Sequence, residues 1–221
     1  MKIIKYIDDE KKLNFSGNYI LSALNLAFIG FFYSKKIKPN KYFILWPDGI
    51  FALKFGCKKK IPGRTVIKKL KINDDIKKIV VLGNCSNKEM QFLKLKYKKD
   101  VINYKLNNGD IRTISQSLPK IYKNILYIIT LPTPKQEQIA EYISKKYSNF
   151  KIICIGGGLK MCTEKIHDCP RILYNLGLEF IWRLRFEFKR RIIRLIYTYI
   201  MYLAYRINKN SKKIILERLK T

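Results

Sequence analysis

Short apolar runs alternate along the chain with longer stretches whose apolar positions recur every three or four residues. The runs predicted to be strands are YFILW, IKKIVVL, DVINYKL, NILYIIT and FKIIC. The stretches predicted to be helices are SNKEMQFLKLKYK, SQSLPKIYK and KQEQIAEYISKKY, and TVIKKLKI is predicted to be a short amphipathic helix or a turn. Such alternation is typical of βαβ units. We therefore expect an α/β fold, a Rossmann-like and mostly parallel sheet flanked by helices.

The two ends of the chain depart from this alternation. Residues 1–15 are predicted to be weakly structured, and Tyr19–Tyr33 is predicted to be a buried helix capped by Ser16 or Asn18. No strand is predicted after residue 172, because RRIIRLIYTYIMYLAYRI has the pattern of an amphipathic helix edged with arginines. We expect an α/β core over residues 1–172 and a helical, basic C-terminal appendage over residues 173–221.

The charge of the chain narrows the choice of partners. The formal net charge is +30, because 46 Lys and Arg residues outnumber 16 Asp and Glu. A surface this positive attracts polyanions, and nucleic acid, anionic lipid and small phosphorylated substrates are all candidates. Hydrophobic residues make up 48% of the chain, which excludes a disordered protein. No apolar run reaches the roughly 18–20 residues that span a bilayer, and MKIIKYI is too short and too charged for a signal peptide.

The cysteines do not suggest a disulfide framework or a metal site. They are odd in number, and none forms a CxxC pair; they are Cys57, Cys85, Cys154, Cys162 and Cys169. We expect reduced thiols in a cytoplasmic protein. Cys162, His167 and Cys169 lack a fourth ligand and the usual zinc spacing, so no metal ion is predicted.

Three polar turns follow predicted strands. They are WPDG (Trp46–Gly49), LPTPKQE (Leu131–Glu137) and IGGG (Ile155–Gly158). Ligands of open α/β sheets bind beyond the carboxyl ends of the strands. The prolines fix the shape of the second turn, and Gln136 and Glu137 fall in the first turn of the next helix, where backbone N–H groups are unpaired. Each turn alone is an ordinary turn; together they predict a binding site at one edge of the sheet.

The sequence resembles a known family over about residues 14–195. The motifs that carry the resemblance are, in order, WPDG, KKKIPGRTVIKKL, LPTPKQEQIA, IGGGLKM and CPRILYNLGLEFIWRLRFEFKRR. They resemble the WecG/TagA/CpsF glycosyltransferases. The resemblance implies an inverting, metal-independent transferase without a cofactor. Such an enzyme moves a sugar such as N-acetylmannosamine from a UDP-sugar to an undecaprenyl-diphosphate-linked acceptor, for teichoic-acid linkage units, enterobacterial common antigen, capsule or exopolysaccharide.

The resemblance also assigns roles to residues of the core. Asp48 matches the candidate general base, and a carboxylate is the group needed to take the proton of an attacking hydroxyl. A substrate-contacting Thr-x-Asn motif is matched to Ser16 and Asn18. Lys60 or Arg64 would stabilise the departing UDP. The remaining donor-binding candidates are Gln136, expected to touch the sugar or a phosphate, its neighbour Glu137, and Gly156, Gly157 and Gly158.

The appendage is expected to bind the lipid end of the acceptor. Arg183 matches the Arg of the family's RL motif and is a substrate-binding candidate. Arg190 and Arg194 match arginines that the family presents to diphosphate, to which guanidinium groups donate paired hydrogen bonds. The amphipathic segment 190–207 suits the headgroup layer of an anionic membrane. The resemblance thus implies a peripheral protein on the inner face of the bacterial cell membrane, and self-association.

Two alternatives stay open. The sequence departs from the family at Lys160, where relatives often have an acidic residue, at Glu164, where a Gly is expected, and at Phe188, where Glu-Pro becomes Glu-Phe. These departures leave room for an inactive partner of a glycan-assembly complex. The charge alone would fit a nucleic-acid-binding protein, but the aromatics fall within apolar runs and no nucleic-acid-binding motif occurs. No specific nucleic acid is therefore expected as a partner.

Overall fold

In the computed structural model of the protein, one parallel sheet runs through the described residues. These are residues 2–49, 52–53, 56–107, 109–163, 169–170, 172–173, 176, 178, 181–182, 188–207 and 214–219. The strands are β1 (Lys2–Tyr6), β2 (Tyr19–Leu24), β3 (Phe43–Pro47), β4 (Lys78–Leu82), β5 (Asp100–Tyr104), β6 (Ile125–Ile129), β7 (Lys151–Cys154) and β8 (Ile214–Arg218). Their order across the sheet is β5-β4-β6-β7-β2-β3-β1-β8. Every pairing is parallel, so the predicted Rossmann-like α/β fold is confirmed.

Helices cover both faces of the sheet. In the described part of the chain they are α1 (Leu26–Tyr33), α2 (Gly63–Lys69), α3 (Asn87–Tyr97), α4 (Ile111–Gln116), α5 (Lys135–Lys146), α6 (Lys160–Thr163) and α7 (Phe188–Ile207). Buried residues of α1, α4 and α5 join one apolar cluster, and those of α2 and α3 join a second. Because both faces of the sheet are covered, its central strands are continuous apolar runs, as in other parallel sheets.

Local signals explain why several elements lie where the sequence predicts them. Helix α3 begins with a capping box, in which Ser86 Oγ accepts from the Glu89 N–H at 3.3 Å and Glu89 Oε2 accepts from the Ser86 N–H at 2.6 Å. It ends at Lys98, whose φ of 51° cannot continue a right-handed helix. Strands β3 to β7 and helices α2, α3 and α5 confirm the corresponding predictions.

The prediction of one buried helix over Tyr19–Tyr33 is wrong. The segment divides at Asn25 into strand β2, in which every residue is buried, and helix α1. Asn25 caps α1, since its Oδ1 accepts from the Phe28 N–H at 3.0 Å. The predicted caps Ser16 and Asn18 therefore precede a strand. A strand buried on both faces has no alternating pattern, and by periodicity alone it reads like a buried helix.

Both ends of the chain form strands, against prediction. Residues 1–15 contain β1, and β8 lies beyond residue 172. The two pair in parallel, with Lys2 opposite Ile214 and Tyr6 opposite Arg218. The described part of the predicted appendage thus includes α7, which packs against α1, and a strand that joins the core sheet. Because β8 is an edge strand of the sheet, it can carry charged residues. Its sequence therefore resembles a polar segment, and no strand is predicted there.

The predicted helix SQSLPKIYK is wrong over most of its length. Helix α4 begins earlier, at Ile111, and ends at Gln116 with Ser117 as its C-cap. Leu118 precedes Pro119, and a residue before proline is disfavoured in the α conformation. The proline therefore ends the helix where the predicted one was to continue.

Candidate active site at the carboxyl edge of the sheet

The three polar turns lie together at the carboxyl edge of the sheet, where the parallel strands end. Strands β6, β7, β2 and β3 are consecutive neighbours in the sheet. Leu131–Glu137 follows β6, Ile155–Gly158 follows β7, and Asp48 with Gly49 follows β3. Side chains from stretches more than a hundred residues apart in the sequence therefore meet along four adjacent strands.

Asp48 is held at this edge by the end of the neighbouring strand β2. Its N–H donates to the Leu24 carbonyl at 3.1 Å. Asn25 Nδ2 donates to Asp48 Oδ2 in a long bond of 3.5 Å, while Asn25 Oδ1 is used in capping α1. The Asp48 side chain is half-buried. A carboxylate that is oriented by an amide and still reached by solvent has the geometry that a general base needs.

Asn25 was not among the residues that the sequence singled out. An Asn between an apolar run and a helical segment is a recognisable N-cap signal, but the prediction of one continuous helix concealed it. Asn25 follows β2 directly and so lies at the carboxyl edge of the sheet.

The glycine turn after β7 packs against the start of α2. A Cβ at Gly63 would lie 3.2 Å from Ile155 Cδ1 and 3.9 Å from Gly158 Cα, so a side chain at Gly63 would force the two segments apart. The Ile61 N–H donates to the Pro47 carbonyl at 2.6 Å. The first contact places Arg64, in the first turn of α2, near the glycine turn, and the second places Lys60, which precedes Ile61, near the Asp48 turn.

A buried polar network lies under the turn after β6. Glu137 Oε1 accepts hydrogen bonds from Ser22 Oγ on β2 at 3.0 Å, from Gln136 Nε2 at 2.8 Å and from Thr133 Oγ1 at 3.3 Å. Gln136 Nε2 also donates to Thr133 Oγ1 at 3.1 Å. Sequence reasoning found Gln136 and Glu137, whereas Ser22 was hidden in an apolar strand. The network ties the β6 turn to the centre of the sheet.

Two oxygens of this network have no hydrogen-bond partner. They are Gln136 Oε1 and Glu137 Oε2, and both are fully buried. Burial raises the pKa of Glu137, a direction that its hydrogen bonds oppose. Burial, and then the nearby Glu137, also raise the pKa of Cys154 well above its usual range. Unpartnered buried polar atoms are rare in folded proteins and need an explanation.

Ser16 and Asn18 lie at the opposite, amino edge of the sheet. They immediately precede β2, whereas Asn25 and Asp48 lie beyond the carboxyl ends of β2 and β3. Asn18 Nδ2 donates to the Ser148 carbonyl at 2.6 Å, and its Oδ1 accepts from the Phe150 N–H at 3.0 Å. Asn18 thus joins β2 to the segment before β7. The structure does not bring these two residues to the site, and their substrate contact stays a prediction.

The arginines predicted to bind the substrate are not all described. Arg183 lies outside the described residues, and so do the side chains of Arg190 and Arg194 on α7. Helix α7 itself packs on α1, where the rings of Phe31 and Tyr197 lie 5.8 Å apart. Its outer face exposes large apolar side chains; they include Ile193, Ile196, Ile200 and Leu203, which are 60%, 52%, 57% and 38% exposed.

The described part of the chain has neither a cluster of metal ligands nor a membrane-spanning helix. No group of three or more His, Cys, Asp or Glu side chains there could hold a metal ion. None of the helices described there combines the length and the hydropathy needed to cross a bilayer. Metal independence stays a prediction.

Comparison with known proteins identifies one family. The model of the glycosyl transferase WecG/TagA/CpsF family matches residues 104–214. The match includes the β6 turn, the glycine turn and α7, while Asn25, Asp48 and Arg64 precede it. Among curated proteins, none matches the chain.

Proposed function

The chain belongs to the WecG/TagA/CpsF family of glycosyltransferases, which act in cell-surface polysaccharide synthesis, and we propose that it is an inverting, UDP-sugar-dependent transferase. The donor sugar would be N-acetylmannosamine or a relative. The acceptor would be a sugar linked to undecaprenyl diphosphate, and the product a teichoic-acid, capsule or exopolysaccharide precursor. The observation that carries the proposal is the meeting of Asp48, Asn25, Gln136 and the glycine turn at one edge of the sheet.

Asp48 would act as the general base. In a single inverting displacement, the acceptor hydroxyl attacks the anomeric carbon of the donor as the bond to UDP breaks, and a carboxylate takes the hydroxyl proton. Asn25 would orient the Asp48 carboxylate toward the acceptor hydroxyl through the bond to Oδ2. Gly49, exposed and with nothing within 4 Å of its Cβ position, leaves room for the acceptor beside Asp48.

The departing UDP would be stabilised by positive charge at the same edge. Lys60 lies near the Asp48 turn and Arg64 near the glycine turn. The glycine turn Gly156–Gly158 has no side chains to keep a nucleotide away from its backbone. Fixed cationic groups placed where negative charge develops can supply the stabilisation that a metal ion gives in other transferases. We therefore propose that the enzyme uses neither a metal ion nor a cofactor.

The acceptor would be reached at the membrane through α7. The outer face of this helix exposes Ile193, Ile196 and Ile200, three large apolar side chains spaced three and four residues apart. The sequence of α7 also contains five Lys and Arg residues, Lys189, Arg190, Arg191, Arg194 and Arg206. Exposed apolar side chains on a helix whose sequence is rich in Lys and Arg favour an anionic membrane surface. We propose peripheral attachment to the inner face of the bacterial cell membrane through residues 190–207, with arginines near the acceptor diphosphate, and self-association of the enzyme.

Substitution of Asp48 tests the proposal. Transfer from UDP-N-acetylmannosamine to a synthetic prenyl-diphosphate acceptor would be measured for wild type, Asp48→Asn and Asp74→Asn. Asp74 is an exposed turn carboxylate before β4, at the amino edge, and its substitution is the matched control. Loss of a general base lowers the rate by about 100- to 10,000-fold. We expect that loss in Asp48→Asn, with UDP affinity unchanged, and wild-type turnover in Asp74→Asn.

Two results would count against the proposal in different ways. Full activity of Asp48→Asn would remove Asp48 from the role of base. Binding of UDP by the wild-type protein without turnover on any prenyl-diphosphate acceptor would favour the inactive-partner alternative, which the departures at Lys160 and Glu164 suggest.

A further inference from the structure

The side-chain oxygen of Gln136 accepts no hydrogen bond from the described part of the protein. The residue is 4% exposed, and its Oε1 is buried without a hydrogen-bond partner. A buried acceptor without a hydrogen bond lowers the free energy of unfolding by roughly 1–3 kcal/mol. The same amide is well satisfied at its other end, where Nε2 donates to Glu137 Oε1 at 2.8 Å and to Thr133 Oγ1 at 3.1 Å. The amide is therefore held in one orientation, with its free acceptor on the opposite side.

Glu137 decides that orientation. Its Oε1 receives donors from Ser22, Thr133 and Gln136. The two hydroxyl donors, Ser22 Oγ and Thr133 Oγ1, by themselves make this oxygen an acceptor, whether or not the other oxygen, Oε2, carries a proton. If the Gln136 amide were reversed, its Oε1 would face this acceptor, and two oxygens would repel each other. The Nε2 of Gln136 must therefore face Glu137, and its Oε1 must face away.

The free oxygen of Gln136 lies next to the glycine turn. A methyl group at Gly156 would be 3.6 Å from Gln136 Oε1 and 3.5 Å from the Leu131 carbonyl oxygen. Gly157, next in the turn, is exposed, with nothing within 4 Å of its Cβ position. The side of the amide that carries the unpartnered acceptor is thus bordered by backbone without side chains. A ligand at the turn would meet two oxygens there, one from Gln136 and one from Leu131.

We infer that Glu137 is a positioning residue that fixes the Gln136 amide so that this subsite accepts only a hydrogen-bond donor of the ligand. The ligand group is a hydroxyl or an amide N–H of the transferred sugar. A phosphate oxygen does not fit, because it is an acceptor and would face the two oxygens. The identity of the ligand as a nucleotide sugar rests on the function proposed above; the orientation of the amide does not.

The first test compares affinities for UDP and for UDP-N-acetylmannosamine by calorimetry in the full-length protein. Gln136→Met removes the acceptor at similar size, Glu137→Leu removes the positioning oxygen, and Glu137→Gln keeps an acceptor at the same place. Loss of one hydrogen bond of about 1.4 kcal/mol is tenfold in affinity. We expect Gln136→Met and Glu137→Leu each to bind the sugar nucleotide about tenfold more weakly with UDP affinity within twofold of wild type, and Glu137→Gln to keep the wild-type preference. The double variant should lose no more than either single one.

The second test needs no ligand and separates this inference from the proposed function. In the wild-type protein, the side-chain amide protons of Gln136, observed by NMR, should exchange slowly with solvent because both bonds of Nε2 are buried. Glu137→Leu should make them exchange at least tenfold faster, and Glu137→Gln should restore the protection.

Each outcome has a defined meaning. Equal loss of UDP and sugar-nucleotide affinity in Gln136→Met would place a phosphate at this oxygen and overturn the assignment of the ligand group. An unchanged preference in Glu137→Leu, or unchanged exchange of the Gln136 amide protons, would overturn the positioning role. Failure of the wild-type protein to bind either nucleotide would refute the proposed function, and the exchange measurement would then decide the role of Glu137 by itself.

Discussion

Replacement of Gly156 by alanine tests whether the glycine turn is open because a ligand needs the space. Gly156 has φ of +52°, in the left-handed region that residues with a Cβ disfavour. The added methyl group would lie 3.5 Å and 3.6 Å from its nearest neighbours, which is ordinary van der Waals contact. The variant should therefore fold, and only backbone strain should lower its stability.

The size of the effect on stability follows from two opposing terms. Left-handed backbone costs a residue with a Cβ about 1–2 kcal/mol, and the stiffer unfolded chain returns about 0.4–1 kcal/mol. The net loss is about 1 kcal/mol, which corresponds to a Tm lower by about 2–4 °C in a chain of this size. Gly157→Ala is the matched control for stability, because Gly157 is not left-handed and has nothing within 4 Å of its Cβ position. Its Tm should equal that of the wild type within about 1 °C.

The effect on binding should be larger than the effect on stability. The methyl group would sit between Leu131 and Gln136 Oε1, where a donor atom of the ligand would have to come within about 3 Å of that oxygen. We expect Gly156→Ala to bind UDP-N-acetylmannosamine at least tenfold more weakly in calorimetry. A folded variant with wild-type affinity would refute the approach of the ligand past Gly156, and a Tm unchanged in Gly156→Ala would refute the strain argument.

Two further predictions concern Glu137 and α7. Burial raises the pKa of Glu137, so the folded protein binds the carboxyl proton more tightly than the unfolded chain does. The protonated carboxyl therefore contributes to the free energy of unfolding at low pH, and this contribution decreases as the pH rises above about 4.3. Urea unfolding between pH 4 and 9 would measure the free energy of unfolding of Glu137→Gln and of the wild type. The difference, variant minus wild type, should increase by at most about 1.4 kcal/mol per pH unit. Parallel pH profiles of the two proteins would contradict this. Ile200→Glu should weaken sedimentation with anionic vesicles severalfold, since a charge replaces a 57% exposed apolar side chain on α7. Leu95→Glu is its control, because Leu95 is 74% exposed on α3; equal losses in both variants would argue against α7 as the attachment surface.

The sequence by itself determined the elements whose signals are local. Strands β3, β4, β6 and β7 are apolar runs bounded by turn residues, and α3 has its capping residues Ser86 and Glu89 three positions apart. The turns at Asp48, Gln136 and Gly156 could be identified because proline and glycine mark them directly. Their joint position also followed from the sequence, because parallel strands end at the same edge of a sheet.

The tertiary structure alone decided the elements whose partners are distant. Strands β1 and β8 pair with each other although they lie near opposite ends of the sequence, with Tyr6 opposite Arg218. Nothing local in either segment specifies that partner. Strand β2 is buried on both faces, so the period that separates strand from helix is absent there. The misassignment of β2 concealed Asn25, which caps α1 at the carboxyl edge of the sheet. Local chemistry fixes turns, caps and their order, whereas pairing and burial are properties of contacts that form only when distant segments meet.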